Sequence, residues 1–169
     1  MSQAAHCTMD RARDVLELLE RLGMTLALAE SCTGGHIASL LTDQEGVSNR
    51  IERGFVTYSD EAKVEMLGIP QDVIARCSAV SAEVAALMAA GALERSRADI
   101  AASVTGFAGP AGPGDEIGLV FVSVAARWTG VITRECHFGD LERDCIRERA
   151  TNCALELIAD AASAAQRQR

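Results

Sequence analysis

The stretch Leu26-Ala27-Leu28-Ala29-Glu30-Ser31-Cys32-Thr33-Gly34-Gly35 sets the reading of the whole chain. An apolar segment stops at two nucleophiles, Ser31 and Cys32, and two glycines then open an amphipathic pattern. This order predicts a buried strand, a tight turn and the first turn of a helix. A serine or cysteine at such a turn sits beside backbone N–H groups that lack helical partners and can hold an anion. Acyl transfer and phosphate binding both suit that arrangement.

Outward from this stretch, helices and strands alternate. Val15, Leu16, Leu18, Leu19 and Leu22 repeat at helical spacing over 9–22, and Gly23 ends that helix. Thr25 to Ala29 reads as the first strand, and 35–41 as the helix after the turn. Gly54 to Tyr58 is strand-like, then Ser59-Asp60-Glu61 supplies a serine cap and an acidic first turn for a helix carrying Lys63. A further short helix follows from Pro70 through Ile74, and Ser81 caps a longer one with Val84, Leu87, Met88 and Leu93 as its apolar stripe. Asp99 to Thr105 reads as a buried strand, which breaks into the glycine-proline loop 106–114. Leu119 to Ala126 and Val131 to Phe138 form a hairpin turning at Thr129-Gly130, and a last helix spans 141–162 ahead of a frayed Gln/Arg tail. This pattern predicts one α/β domain over 1–169, a three-layer α/β/α sandwich with a mixed, mostly parallel sheet of about five strands.

The composition agrees. In 169 residues, 49% are hydrophobic and only 4% aromatic, so the core is aliphatic and large enough for one domain. A net charge of −8 disfavours nucleic-acid and membrane-surface partners, which require a basic face. No apolar run reaches the ~20 residues of a membrane span. The first seven residues lack the basic-then-apolar order of a signal peptide, which leads to the expectation of a cytoplasmic protein. The six cysteines form no Cys-x-x-Cys pair and no zinc spacing, so no metal is expected. Cys145 and Cys153, eight apart on the last helix, read as small core residues.

Three predicted strands end in polar or glycine-rich turns, at Glu30-Ser31, Tyr58-Ser59 and Thr105-Gly106. In an open α/β sheet, ligands bind beyond the carboxyl ends of parallel strands, so parallel pairing would bring all three turns to one crevice. Lys63 then becomes the natural base for Ser31, because a buried lysine loses its proton more readily and can act as a neutral amine. It stands out among basic residues dominated by arginine. The N–H groups of Thr33, Gly34 and Gly35 could stabilise an oxyanion. Spacing alone leaves open a Glu30–Lys63–Cys32 trio, with Cys32 as nucleophile. Ser59 is better explained as a cap, and His36 as a structural or exposed residue. Arg143 and Arg147, four apart, suit either a phosphate clamp or a salt-bridged helix face.

Several motifs together resemble one known family. They are Ala29 through Gly35, Gly54 through Lys63, Gly68-Ile69-Pro70, Ala79 through Ala85, and Val104 through Pro110. In order and spacing the chain resembles the C-terminal domain of the competence/damage-inducible CinA family, which includes stand-alone nicotinamide-mononucleotide amidases. The resemblance implies a three-layer fold and hydrolysis of the carboxamide of nicotinamide mononucleotide, without a cofactor. It implies Ser31 as nucleophile, Lys63 as base and Tyr58 as a supporting residue. Thr33, Gly34, Gly35, Thr105 and Gly106 would hold oxyanion and substrate, and Arg143 and Arg147 the phosphate. Family members tend to self-associate, so a homodimer is expected. The chain departs from the family pattern at 110–118 and by two extra residues before Arg143, both on expected substrate-facing segments. The alternative readings are a non-catalytic nucleotide-binding relative, or an amidase for another small amide.

Overall fold

The structure, a computed structural model, describes residues 3–109, 112 and 114–166. The expectations for the N-terminal Met1 and Ser2, for Pro110, Ala111 and Pro113 of the glycine-proline loop, and for the tail 167–169 lie outside the described residues. Helix α1 (Gln3–Leu22) leads into β1 (Leu26–Glu30), α2 (His36–Thr42), a 3-10 turn (Ser48–Arg50) and β2 (Ile51–Val56). Then come α3 (Asp60–Leu67), α4 (Gln71–Cys77), α5 (Ala82–Glu94), β3 (Ile100–Gly106), β4 (Leu119–Ala126), β5 (Gly130–His137) and α6 (Arg143–Gln166).

The five strands lie in the order β2-β1-β3-β4-β5. β1 pairs parallel with both β2 and β3, whereas β4 runs antiparallel to β3 and to β5. Four strands therefore share one direction and β4 alone opposes them. The inner strand β1 is buried at every residue, as expected of a strand covered on both faces. Alternate β1 residues point to opposite layers. Leu26 and Leu28 join Leu16, Leu19, Ile146, Leu155 and Ile158 beneath α1, α2 and α6. Ala27 and Ala29 join Leu67, Ile74, Val84 and Met88 beneath α3, α4 and α5. Each fully buried Leu or Ile contributes about 1.5–3 kcal/mol, so these two aliphatic cores carry the fold without aromatic bulk.

β2 begins and ends earlier than its apolar pattern predicts. It is an edge strand, half exposed, so the sheet holds Ile51-Glu52-Arg53 by backbone pairing rather than by burial of apolar side chains. Cys145 is exposed, not part of the core with Cys153. Eight residues carry a helix about 80° beyond two full turns, which takes Cys145 off the buried face.

The chain leaves β1 toward the α1–α6 layer and leaves β2 toward the α3–α5 layer. The carboxyl ends of these neighbours thus open a crevice where the connections part, the place at which open α/β sheets bind ligands. Packing of α3 fixes one wall of it. Gly91 of α5 lets the two helices meet closely, since a Cβ there would lie 2.2 Å from the Leu67 carbonyl oxygen. That contact seats α3, and with it Lys63, over the sheet.

Candidate active site

Ser31 follows the last residue of β1 and is buried. Its N–H donates to the Val104 carbonyl of β3 (3.0 Å), and the Thr57 N–H beyond β2 donates to the Glu30 carbonyl (2.8 Å). Both neighbouring strands therefore grip the turn. Glu30 is 1% exposed, and its carboxylate accepts from the N–H groups of Gly35 (3.1 Å), Ile37 (3.1 Å) and Ala38 (2.8 Å). A carboxylate at the helix start satisfies three otherwise orphaned donors of α2. The chain reaches that arrangement through Gly34 (φ 61°) and Gly35 (φ 91°), a backbone region that side chains with a Cβ enter at a cost.

Opposite Ser31 lies Lys63, the sole lysine in the sequence, buried to 1% exposure. Ser59 caps α3 by accepting from the Ala62 N–H (3.1 Å), which places Lys63 one turn inside the helix and facing the sheet. Its Nζ donates to the carbonyls of Thr57 (3.0 Å) and Tyr58 (3.5 Å) and lies 3.4 Å from Ser31 Oγ. These partners are all uncharged. Burial lowers the Lys63 pKa from the ordinary lysine value, with Asp60 opposing the shift. Cys32 behaves in the reverse way. Burial pushes its thiol up to about 12, and its side chain belongs to the α1–α6 core, so at neutral pH it remains a protonated thiol.

A cavity of about 210 Å³ brings together Ser31, Cys32, Tyr58, Lys63, Thr105, Gly106 and Arg143. Asp60, Ala79, Val80 and 107–109 complete its wall. Four expected residues, Gly34, Gly35, Thr105 and Tyr58, play other parts than those read from sequence. The Gly34 N–H donates to the Ser31 carbonyl (3.0 Å) and the Gly35 N–H to Glu30, so of the three turn amides only that of Thr33 has no partner among the described residues. Thr105 spends its hydroxyl on the Ala79 carbonyl (2.9 Å), tying the α4–α5 connection to β3. Tyr58, 64% exposed as a residue, meets Lys63 through its backbone carbonyl, while its phenol oxygen accepts from Arg143 Nη2 (3.4 Å).

The two arginines separate. Arg143 borders the Ser31 cavity and reaches the Ala108 carbonyl (3.5 Å). Arg147 does not line that cavity; its Nη2 donates to the Thr33 carbonyl (2.5 Å), bracing the 31–35 turn from behind. It faces a larger cavity of about 450 Å³ between α1, α2 and α6, lined also by Thr8, His36 and Leu40. The bracing by Glu30 was not read from sequence. Its signal was there: an acidic residue just before the glycine turn that starts a helix.

A buried serine and a lysine held by backbone carbonyls thus meet at the switch point of a three-layer α/β/α sheet. The chain belongs to the CinA C-terminal domain family, whose model matches residues 9–162. It is 45% identical over 153 residues to nicotinamide-nucleotide amidohydrolase PncC of Escherichia coli K12, covering 89% of this chain and 92% of that protein. It is 46% identical over 147 residues to a putative competence-damage inducible protein of Caldicellulosiruptor saccharolyticus, covering 85% of this chain but 35% of that longer protein. The crystal structure of competence/damage inducible protein CihA from Agrobacterium tumefaciens superposes with a TM-score of 0.88 at 41% identity, covering 92% of this chain and 95% of that one. No helix among the described residues is long and apolar enough to cross a membrane.

Proposed function

We propose that this chain hydrolyses the carboxamide of nicotinamide mononucleotide to nicotinic acid mononucleotide and ammonia, with Ser31 as nucleophile and Lys63 as its base. The observation that carries the reading is the set of partners around Lys63 Nζ. A neutral amine has two N–H groups and one lone pair. The Thr57 and Tyr58 carbonyls take the two hydrogens, which leaves the lone pair for the Ser31 hydroxyl at 3.4 Å. Burial favours that neutral form, outweighing the opposing charge of Asp60. The likeness to the E. coli amidohydrolase supplies the substrate.

In this reading Lys63 takes the Ser31 proton as Oγ attacks the carboxamide carbon. Thr33, fully buried and absent from the cavity wall, keeps its N–H away from the developing oxyanion, which forms on the cavity side of Ser31. Collapse of the tetrahedral intermediate expels ammonia, which takes its proton from Lys63. Water, deprotonated by Lys63, then attacks the acyl-serine and restores both residues. The cavity is smaller than the ~300–1,000 Å³ of ordinary ligand pockets, so it takes the amide-bearing ring and leaves the phosphate at the rim beside Arg143. Exposed Val56, Tyr58 and Met66 around β2 and α3 support self-association.

Ammonia release from nicotinamide mononucleotide tests the proposal. Wild type and Cys32→Ala turn over, whereas Ser31→Ala and Lys63→Ala do not. Activity retained in Ser31→Ala together with a dead Cys32→Ala assigns the chemistry to the cysteine instead. Tight binding of the mononucleotide without turnover by wild type rejects the enzymatic reading.

A further inference from the structure

Away from the Ser31 cavity, one pair of side chains is arranged for chemistry that amide hydrolysis does not use. Cys136 on β5 and Cys153 on α6 hold their sulfurs 3.4 Å apart. Arg134, two residues before Cys136 and so on the same face of the strand, brings Nη1 within 3.6 Å of Cys153 Sγ. Glu156 (3.1 Å) and Asp160 (3.9 Å) of α6 hold that guanidinium in place, and Arg11 of α1 shares Glu156. Cys153 is buried while Cys136 is half-buried on the edge strand, so a small oxidant approaches from the β5 side.

We propose that Cys136 and Cys153 form a reversible thiol–disulfide site, oxidised by hydrogen peroxide and restored by a dithiol reductant, that ties α6 to β5. The surroundings prepare one sulfur as the nucleophile. The Cys136 S–H hydrogen bond draws the Cys153 thiol below its ordinary range and Arg134 acts in the same direction, against the opposing effect of burial. Cys136 is correspondingly pushed up, first by its bond to Cys153 and then by burial. A thiolate is the reactive form, so Cys153 attacks first. Its sulfur bonds to one peroxide oxygen, the O–O bond breaks, and hydroxide leaves and is protonated, which makes Cys153 a sulfenic acid. The Cys136 sulfur then attacks the Cys153 sulfur, the S–O bond breaks, and the hydroxyl leaves as water with the Cys136 proton. Two thiols and one peroxide thereby give one disulfide and two waters; the sulfurs are oxidised and the peroxide reduced. The bond closes a loop over 136–153 that contains Arg143 and Arg147, the two arginines of the site region, and leaves Ser31 and Lys63 outside it.

Trypsin separates the residues involved. Cys136 falls in the peptide 135–143, Cys145 in 144–147 and Cys153 in 150–167. The intact protein is treated with a small molar excess of hydrogen peroxide, alkylated on unfolding, digested without reductant and weighed by mass spectrometry. The expected result is a species joining 135–143 to 150–167, two hydrogens lighter than their sum and separated by dithiothreitol. The species persists in Cys145→Ser and is absent in Cys136→Ser. Recovery of both peptides unlinked, whether alkylated or as sulfinic acids, in a sample whose exposed Cys145 has been oxidised, overturns the proposal. None of these readouts depends on amide hydrolysis, so the proposal and the proposed function fail independently.

Discussion

Glu30→Gln removes a charge from the base of the Ser31 turn while keeping the shape of the side chain, and its consequences follow from three hydrogen bonds. The carboxylate accepts from Gly35 and Ile37 on one oxygen and from Ala38 on the other. A glutamine oxygen can keep the first pair or the single bond, but its NH2 then confronts an N–H donor. One charge-assisted bond is lost and one donor is left unmet, a combined cost of about 3 kcal/mol. Against a stability of ~5–15 kcal/mol for a domain, the variant still folds. Ser31 lies one residue from Glu30, so relaxation of α2 moves the nucleophile; a displacement of about 1 Å lowers kcat by roughly 10²-fold. Urea unfolding followed by the single tryptophan, Trp128, whose Nε1 donates to the Ala161 carbonyl (3.3 Å), reads the stability term. Ammonia release reads kcat. A stability loss under about 0.5 kcal/mol with unchanged kcat would refute the view that this carboxylate holds the turn.

Lys63→Met should lower kcat by about 10²–10⁴-fold, the range for a lost general base, and a loss under tenfold removes Lys63 from the mechanism. In wild type, kcat/KM should rise with pH through an apparent pKa below the ordinary lysine value, because only neutral Lys63 accepts the Ser31 proton; a profile that falls over that range contradicts this. Stability carries the same sign. With the folded pKa lowered, the unfolded chain binds the extra proton between the folded value and the ordinary lysine value of 10.5, so stability rises with pH across that window and the rise disappears in Lys63→Met. Cys32→Ala should keep kcat within about tenfold while losing about 1–2 kcal/mol of core packing, measured by the same urea titration. Arg143→Ala should raise KM for nicotinamide mononucleotide by roughly 10–100-fold, the worth of one charge-assisted contact, with kcat little changed. An equal loss in kcat would place Arg143 in the chemical step instead.

The strand–turn–helix at Leu26–Gly35 and the capped helix carrying Lys63 were legible because each is a local pattern: an apolar run cut by glycines, and a serine followed by acidic residues. Parallel pairing around β1 enters the sequence reading only as a condition, because long-range contacts set it; the sheet pairs β1 in parallel with β2 and β3. β2 was misjudged at its ends because an edge strand needs no apolar alternation, only backbone pairing with Leu26 to Glu30. Within the candidate site, residue types and neighbourhood were readable, but the use of individual atoms was not. Sequence names Tyr58 without saying that its carbonyl, rather than its phenol, meets Lys63. Nor does it say that Gly34 and Gly35 spend their N–H groups within the turn, or that Arg147 braces Thr33 while Arg143 alone borders the cavity. The contact between Cys136 and Cys153 spans two layers, and no local pattern encodes it.

The central claim is that Ser31, and not the adjacent Cys32, carries the acyl group. Trypsin releases both residues in one peptide, 22–50, and fragmentation of that peptide distinguishes them. The measurement is a rapid acid quench of wild-type enzyme during turnover of nicotinamide mononucleotide, followed by sequencing of that peptide by tandem mass spectrometry. The account requires an ester of the pyridine carboxylate on Ser31, present in Cys32→Ala and missing in Ser31→Ala. A thioester on Cys32 contradicts it.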